Sequence, residues 1–384
     1  MFFAHSYSPI SDVAFLRRGE IVINLHGSSY KKRELLKHMG DVSQIAGTKR
    51  YQLMDGNERG VHGVDFRTGS GLNFTVLPDR GLDVSHAEYK GIPLCWRSST
   101  GDVSPGFYEP AGFGWLRGFF GGLLTTCGMT HVGNPDSDGT NGLHGRVSHI
   151  PAKNVWVDSR WEGNRYMLWA QGKVTETVAM GEYLCRTRRV WTELGAKSLH
   201  IEDIVENLGH QETPHMYLFH INVGFPIVTE GSELLAPTTQ VTPRDEHAAV
   251  DLENHARCDA PTPDFRERVY YHEMDADQDN HVYVALVNRE FDNGRGFGLY
   301  LKYHRTQFPR FVHWKMCSEG TYVIGLEPAN CSVEGQKKEK ERGTLQHIAP
   351  GERRHYEAEI GVLTSNEEIT KIEERIATIK DQGR

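Results

Sequence analysis

A chain of 384 residues with a net charge of −8 has room for one large domain or two ordinary ones, and its acidic balance argues against nucleic acid or an anionic membrane surface as main partner. No apolar run approaches bilayer-spanning length, and the N-terminal stretch MFFAHSYSPISDVAF lacks the basic region and apolar core of a signal peptide, so a cytoplasmic location is expected. The six cysteines (Cys95, Cys127, Cys185, Cys258, Cys317, Cys331) form no CxxC pair, which suits a reducing compartment, and 40 glycines with 10% aromatic residues suit a sheet-rich protein.

Residues 1–62 read as an N-terminal extension packed on the main domain. Within it, KKRELLKHM predicts a helix over Lys31–Met39, with Leu35, Leu36 and Met39 on one side and Gly40 as its stop. From residue 63 the pattern changes to short runs rich in Val, Ile, Leu and aromatics, such as LNFTVLP, VWVDSRW and HVYVALVN. Gly, Asn, Asp or Pro punctuates most of them. No 3.6-residue period interrupts these runs, so residues 63–365 are expected to be all-β, two large sheets packed face to face. Inside that region the charge run GQKKEKERG, Gly335–Gly343, reads as a solvated loop or hairpin tip. Residues 366–384 open with an Asn366 cap and carry Ile369, Ile372, Ile376 and Ile379 in one stripe. They predict a C-terminal amphipathic helix, docked on the sandwich or at a subunit contact such as a homodimer interface. All three spans are expected to form one structural domain.

GFGWLRG, Gly112–Gly118, has glycine spacing without the strand, helix and βαβ context of a dinucleotide site. There is no GxxxxGKS/T, GxSxG or HExxH motif.

Four segments deliver polar groups from apolar surroundings. In TYVIGLEPAN, alternation puts Tyr322, Ile324 and Leu326 on one face and Val323, Gly325 and Glu327 on the other. Gly325 leaves space beside the carboxylate, and Pro328 should stop the strand. In HMYLFHINVGFP, Tyr217, Phe219, Ile221, Val223 and Phe225 form a core face, while the opposite face turns polar at His220 and Asn222. His215 and His220 face opposite ways, which argues against a metal pair from this strand. NGLHGR presents His144 in a turn, and GWLRGFFGGLLTTCG sets Arg117 among Trp115, Phe119 and glycines. Each has an ordinary structural alternative: a surface Glu–Arg pair, a core histidine, a turn histidine and an Arg paired with an acid. Together the groups suit proton transfer on a polyhydroxylated substrate, with Arg117 and Trp115 suited to hydroxyls and to the apolar face of a sugar.

NGLHG, the His220 strand and YVIGLEP, in that order, resemble the signature segments of the galactose mutarotase (aldose 1-epimerase) superfamily. The longer pattern QIAG…LPDRGLDV…WLRGFFGGLLTTCG…LHGR…GLEP is similar to its DUF4432 branch. The resemblance implies a β-supersandwich with a sugar cleft, no cofactor and no metal. It implies Glu327 as general base, His220 as general acid, His144 as a sugar contact and Arg117 as a second one, with Asp279 as the acidic residue on sugar hydroxyls. Asn222, where mutarotases usually have an aromatic-Asn pair after the His, and Arg80 with Asp83 in PDRGLDV depart from the mutarotase pattern; Asn222 and Arg80 join the sugar-binding set. A free-sugar mutarotase is the leading function. A metal-dependent isomerase or epimerase of a keto- or deoxy-sugar, with His144, His220 and Glu327 as ligands, is one alternative. A non-catalytic carbohydrate-binding protein is the other.

Overall fold

A strand whose alternate residues are apolar must bury one face, and in Ser198–Asn207 every second residue from Leu199 to Asn207 is buried while the intervening ones are half-exposed. Repeated along the chain, this pattern yields three large sheets in the computed structural model, which describes residues 22–382, beside two two-stranded pairs, 23–25 with 28–30 and 213–214 with 347–348. The largest has eight strands in the spatial order 233–235, 281–288, 297–304, 353–363, 198–207, 183–193, 165–177 and 153–162. The second has six, in the order 238–243, 268–274, 310–318, 321–329, 216–223 and 125–129. The third has five in sequence order, 47–52, 62–67, 72–77, 83–89 and 92–93. Neighbouring strands run antiparallel throughout.

The fold is all-β, as the sequence pattern predicts. One core joins the sheets: Phe74 and Val84 from the five-stranded sheet, Val190 and Ile201 from the eight-stranded, Phe219 and Ile221 from the six-stranded. Single bridges, Val84 with Leu124 and Cys95 with Val223, join the five- and six-stranded layers. A buried ion network spans all three. Arg188 donates from Nε and Nη2 to Asp203 (2.8 and 2.6 Å) and from Nη1 to Asp83, and Asp83 accepts from Thr126 N and Oγ1 (2.9 and 2.6 Å). Removing one carboxylate would leave a buried charge short of partners, at about 3–5 kcal/mol. Asp83 of PDRGLDV is thus part of the frame.

Three local expectations change. The early helix is short, Lys32–Leu35, and tightens into a 3₁₀ turn, Leu36–His38; Leu35 is buried while Leu36 points out. Strand 47–52 pairs along 62–67, so the sheet begins before residue 63. The charge run is a helix, Gln336–Arg342, ended by Gly343 in the left-handed region (φ +70°). Its Glu339 is buried and accepts from Ser332 N (3.0 Å) and Thr344 Oγ1 (2.7 Å), which gives a charged stretch an inward anchor. The C-terminal helix, Asn366–Gln382, docks on its own sandwich, with Ile369 packed against Ala285, Val287 and Leu363. Among the described residues no helix is long and apolar enough to cross a membrane.

Candidate active site

The strand Thr321–Ala329 does not stop at Glu327 but runs through Pro328. It can do so because its ladder with Met216–Val223 is open there: Ile221 pairs with Leu326 and Leu218 with Ala329, with no pairing between. Proline's missing N–H falls in that gap. His220 and Glu327 stand at the gap from its two sides.

Gly325 has a different purpose from the one expected. A Cβ there would sit 2.3 Å from Glu327 Oε1 and 2.9 Å from Trp314 Cβ. Glycine therefore makes room for the carboxylate itself rather than for a ligand.

His220 Nε2 lies 3.3 Å from Glu327 Oε1, with side chains only 7% and 2% exposed. The two are direct neighbours. Their alignment is not that of a hydrogen bond, and Glu327 Oε1 and His220 Nδ1 are buried without a hydrogen-bond partner. Burial drives both groups toward neutrality. It lowers the His220 imidazole to about 4, with the Asn222 side chain opposing, and raises the Glu327 carboxyl well above its usual range, reinforced by Glu267 and opposed by Arg244. The first proton taken up by the pair therefore resides on Glu327.

His144 adopts a left-handed backbone (φ +56°), held by N–H donation to Gly133 O and by acceptance at its carbonyl from Gly128 N, each 3.0 Å. Its Nδ1 accepts from Gly133 N at 3.3 Å, so the neutral ring carries its proton on Nε2. Burial, then the neighbouring His220 and His131, hold it well below the usual imidazole range. The His144 and His220 rings meet edge to face at 5.8 Å.

These groups face a cavity of about 590 Å³, in the range of small-molecule sites. Trp96, Trp115, Phe119 and Trp314 supply its aromatic walls. Arg244 and Glu267 also line it, and sequence reasoning missed both. They pair at 3.0 Å, and Glu267 accepts from Trp314 Nε1 at 2.8 Å. Arg244 follows a strand-ending Pro243, and Glu267 lies just before strand 268–274; neither position carries a motif. Trp314 was accessible to reasoning, because alternation along Arg310–Ser318 puts it on the cavity face with Val312 and Met316.

Of the residues expected to bind a sugar, the structure brings His144 and Trp115 to the cavity. The others lie elsewhere. Arg117 sits on the surface, 72% exposed, paired with Glu109 at 3.2 Å. Asp279 belongs to an exposed turn with Asp277 and His281, where Asp277 already binds Arg375 at 2.8 Å. Asn222 is buried behind His220, and its amide donates to the carbonyls of Gly121, Gly122 and His220. Arg80 is wholly buried and donates to main-chain carbonyls. His215 faces the opposite way from His220, bonded to Met129 O and Tyr356 Oη. Phe225, expected in the core, lies beyond the strand end and is 68% exposed. Among the described residues, the group whose ligand atoms converge within 4.8 Å is Asp277, Asp279 and His281; the trio His144, His220 and Glu327 does not.

The family model described as DUF4432, a domain of unknown function, matches residues 58–362. The chain belongs to the DUF4432 family. Its fold is similar to that of a candidate aldose 1-epimerase from Klebsiella pneumoniae, at 25% identity and TM-score 0.83, covering 88% of this chain and 90% of that one. It is also similar to a galactose mutarotase-like protein from Clostridium acetobutylicum (12% identity, TM-score 0.57, 84% and 99% covered). A galactose 1-epimerase from Lactobacillus acidophilus NCFM shares the fold at 11% identity and TM-score 0.54, with 84% and 100% covered. No curated protein matches the sequence. In this DUF4432 chain the pair at the strand gap, and not the surface Arg117, is where a carboxyl group, an imidazole and the cavity meet.

Proposed function

We propose that this DUF4432 protein interconverts the anomers of a free sugar by general acid–base catalysis at Glu327 and His220. The observation that carries the reading is their direct contact, 3.3 Å, at the cavity. Mutarotation takes a proton from O1 and delivers one to O5, and both oxygens are bonded to the same carbon. An adjacent acid and base can reach two such oxygens at once, which groups on opposite sides of a ring could do only by spanning it.

The proton count also fits. One proton on the pair is enough: rotation of the Glu327 carboxyl that aligns its O–H with His220 Nε2 lets the proton pass, which creates a carboxylate and an imidazolium without exchange with solvent. Glu327 then takes the O1 proton, the O1–H electrons form the C1=O1 double bond, and the C1–O5 electrons pass to O5, which takes the proton from His220 Nε2. Rotation about C1–C2 and the reverse transfers close the other anomer. His144, with its proton on Nε2, offers a hydrogen bond to a sugar oxygen. The Arg244–Glu267 pair offers both donors and acceptors to hydroxyls, the part expected of Arg117 and Asp279. The aromatic walls suit the C–H faces of a sugar ring.

Saturation-transfer NMR on the α and β anomers of a panel of free aldoses and ketoses tests the proposal. At least one sugar should exchange faster with protein than without. Binding of sugars with no faster exchange would make the protein a carbohydrate-binding module instead.

A further inference from the structure

We infer that Arg80 is the positioning residue of the cavity wall, acting on Trp115 through a hydrogen-bond relay of His149 and Ser148. The inference rests on the reading of the cavity as the sugar site.

Arg80 is wholly buried, and among the described residues no carboxylate lies within ion-pair distance of it. Asp83 and Asp102 act on it only from beyond that distance, so its N–H groups must be satisfied by main-chain carbonyls. Its fork spans three chain segments: Nε donates to Ser148 O (2.9 Å), Nη1 to Val103 O (2.6 Å) and Nη2 to Gly118 O (2.7 Å). These segments carry the cavity's loop-borne wall, including Thr100, Trp115, Phe119 and His144.

The relay has a forced direction. Arginine can only donate, so His149 Nε2, 3.0 Å from Nη2, accepts. The neutral imidazole then carries its proton on Nδ1, which donates to Ser148 Oγ at 3.2 Å. Trp115 Nε1 can also only donate, and it meets the same Oγ at 3.1 Å. Arg80 thereby fixes the His149 tautomer, and Ser148 Oγ, held by both rings, fixes the indole. Burial and the Arg80 charge keep His149 well below its usual range, so the ring remains the acceptor the relay requires. Trp115 in turn stacks on Phe119 (4.6 Å) and tilts against His144 (4.9 Å). Gly118 is part of the device, since a Cβ there would lie 2.6 Å from His149 Nε2.

The relay explains why PDRG and GWLRG both occur in a chain whose surface Arg117 binds nothing in the cavity. Arg80 touches neither Glu327 nor His220, so its loss should loosen sugar binding and spare the proton transfers.

The test uses the full chain and two variants. Arg80→Lys keeps the charge but offers one compact head in place of a planar fork. Ser148→Ala removes the relay's last acceptor without leaving a buried charge, so it reports even if the lysine variant does not fold. Long-range ¹H–¹⁵N NMR on ¹⁵N-histidine protein reads the His149 tautomer, and ¹H–¹⁵N correlation reads the Trp115 indole N–H. Wild type should show His149 protonated on Nδ1; Arg80→Lys should mix the tautomers and shift the indole signal. In anomer exchange the KM should rise about tenfold or more in Arg80→Lys, and less in Ser148→Ala, with kcat held within about threefold in both. An unchanged tautomer and unchanged KM in folded Arg80→Lys would overturn the inference, as would a Ser148→Ala that lowers kcat alone. If no sugar is turned over, the proposed reaction fails, and the tautomer and indole signals still decide the relay.

Discussion

Glu327 and His220 stand on neighbouring strands of one sheet, each braced on its outer side by another strand, whereas Trp115 and His144 stand outside the sheets, on a 3₁₀ turn and a loop held by a few local hydrogen bonds and one buried arginine. The first arrangement fixes two reacting groups against each other with little slack, as general acid–base work demands. The second shapes the space around them, and loops can change that shape without disturbing the chemistry. The cavity thus combines a rigid chemical floor with a separable binding wall.

The largest expected effect breaks the floor. Glu327→Gln preserves size and removes the base, and should slow anomer exchange by about 10²–10⁴-fold, read by saturation transfer, while sugar binding by calorimetry changes far less. Gly325→Ala leaves every reacting group in the chain but puts a methyl where the carboxylate sits. The methyl also meets Trp314 Cβ at 2.9 Å, so the variant should lose stability in denaturant titration as well as about 10²-fold in kcat.

The floor also has a pH signature in stability. The His220 imidazole falls from its ordinary 6.5 to about 4 on folding, so between those values the unfolded chain binds more protons than the folded one. Its contribution is full above pH 6.5 and is lost as pH falls toward 4, about 3 kcal/mol in all. Other buried histidines act in the same direction, whereas the raised Glu327 carboxyl acts in the opposite one; Glu327 is present in both proteins compared, so the difference between them reads His220. Denaturant titrations of wild type and His220→Gln across this window should show a steeper loss in wild type, and equal slopes would contradict the burial argument.

The smallest effect is the most discriminating for the wall. Arg117→Ala removes an exposed residue whose partner is a surface glutamate, so KM and kcat should both stay within about twofold. A tenfold rise in KM would return Arg117 to the sugar site.

That contrast marks what the sequence can reveal. Period-two alternation in TYVIGLEPAN and HMYLFHINV fixes which residues share a face, so Glu327 and His220 were legible, and with them the all-β fold. The 3.3 Å contact was not, because it depends on the register of two strands about a hundred residues apart. Arg117 and Arg80 read alike in sequence, each a cation among glycines. One is turned to solvent and the other is sealed under three loops, and only long-range main-chain contacts distinguish them. Arg244 and Glu267 meet across the sheet rim from outside any motif. The charge run at 336–342 misled because solubility was read from composition, while one inward glutamate was enough to seat a helix.

The central claim is that Glu327 and His220 work as one unit on one proton. A double-mutant cycle of anomer exchange tests it most directly, comparing wild type, Glu327→Gln, His220→Asn and the double variant on the sugar that wild type turns over. The account predicts that each single variant loses about 10²-fold or more and that the double variant is scarcely slower than either. Losses that multiply in the double variant, or near wild-type exchange in Glu327→Gln, would contradict it.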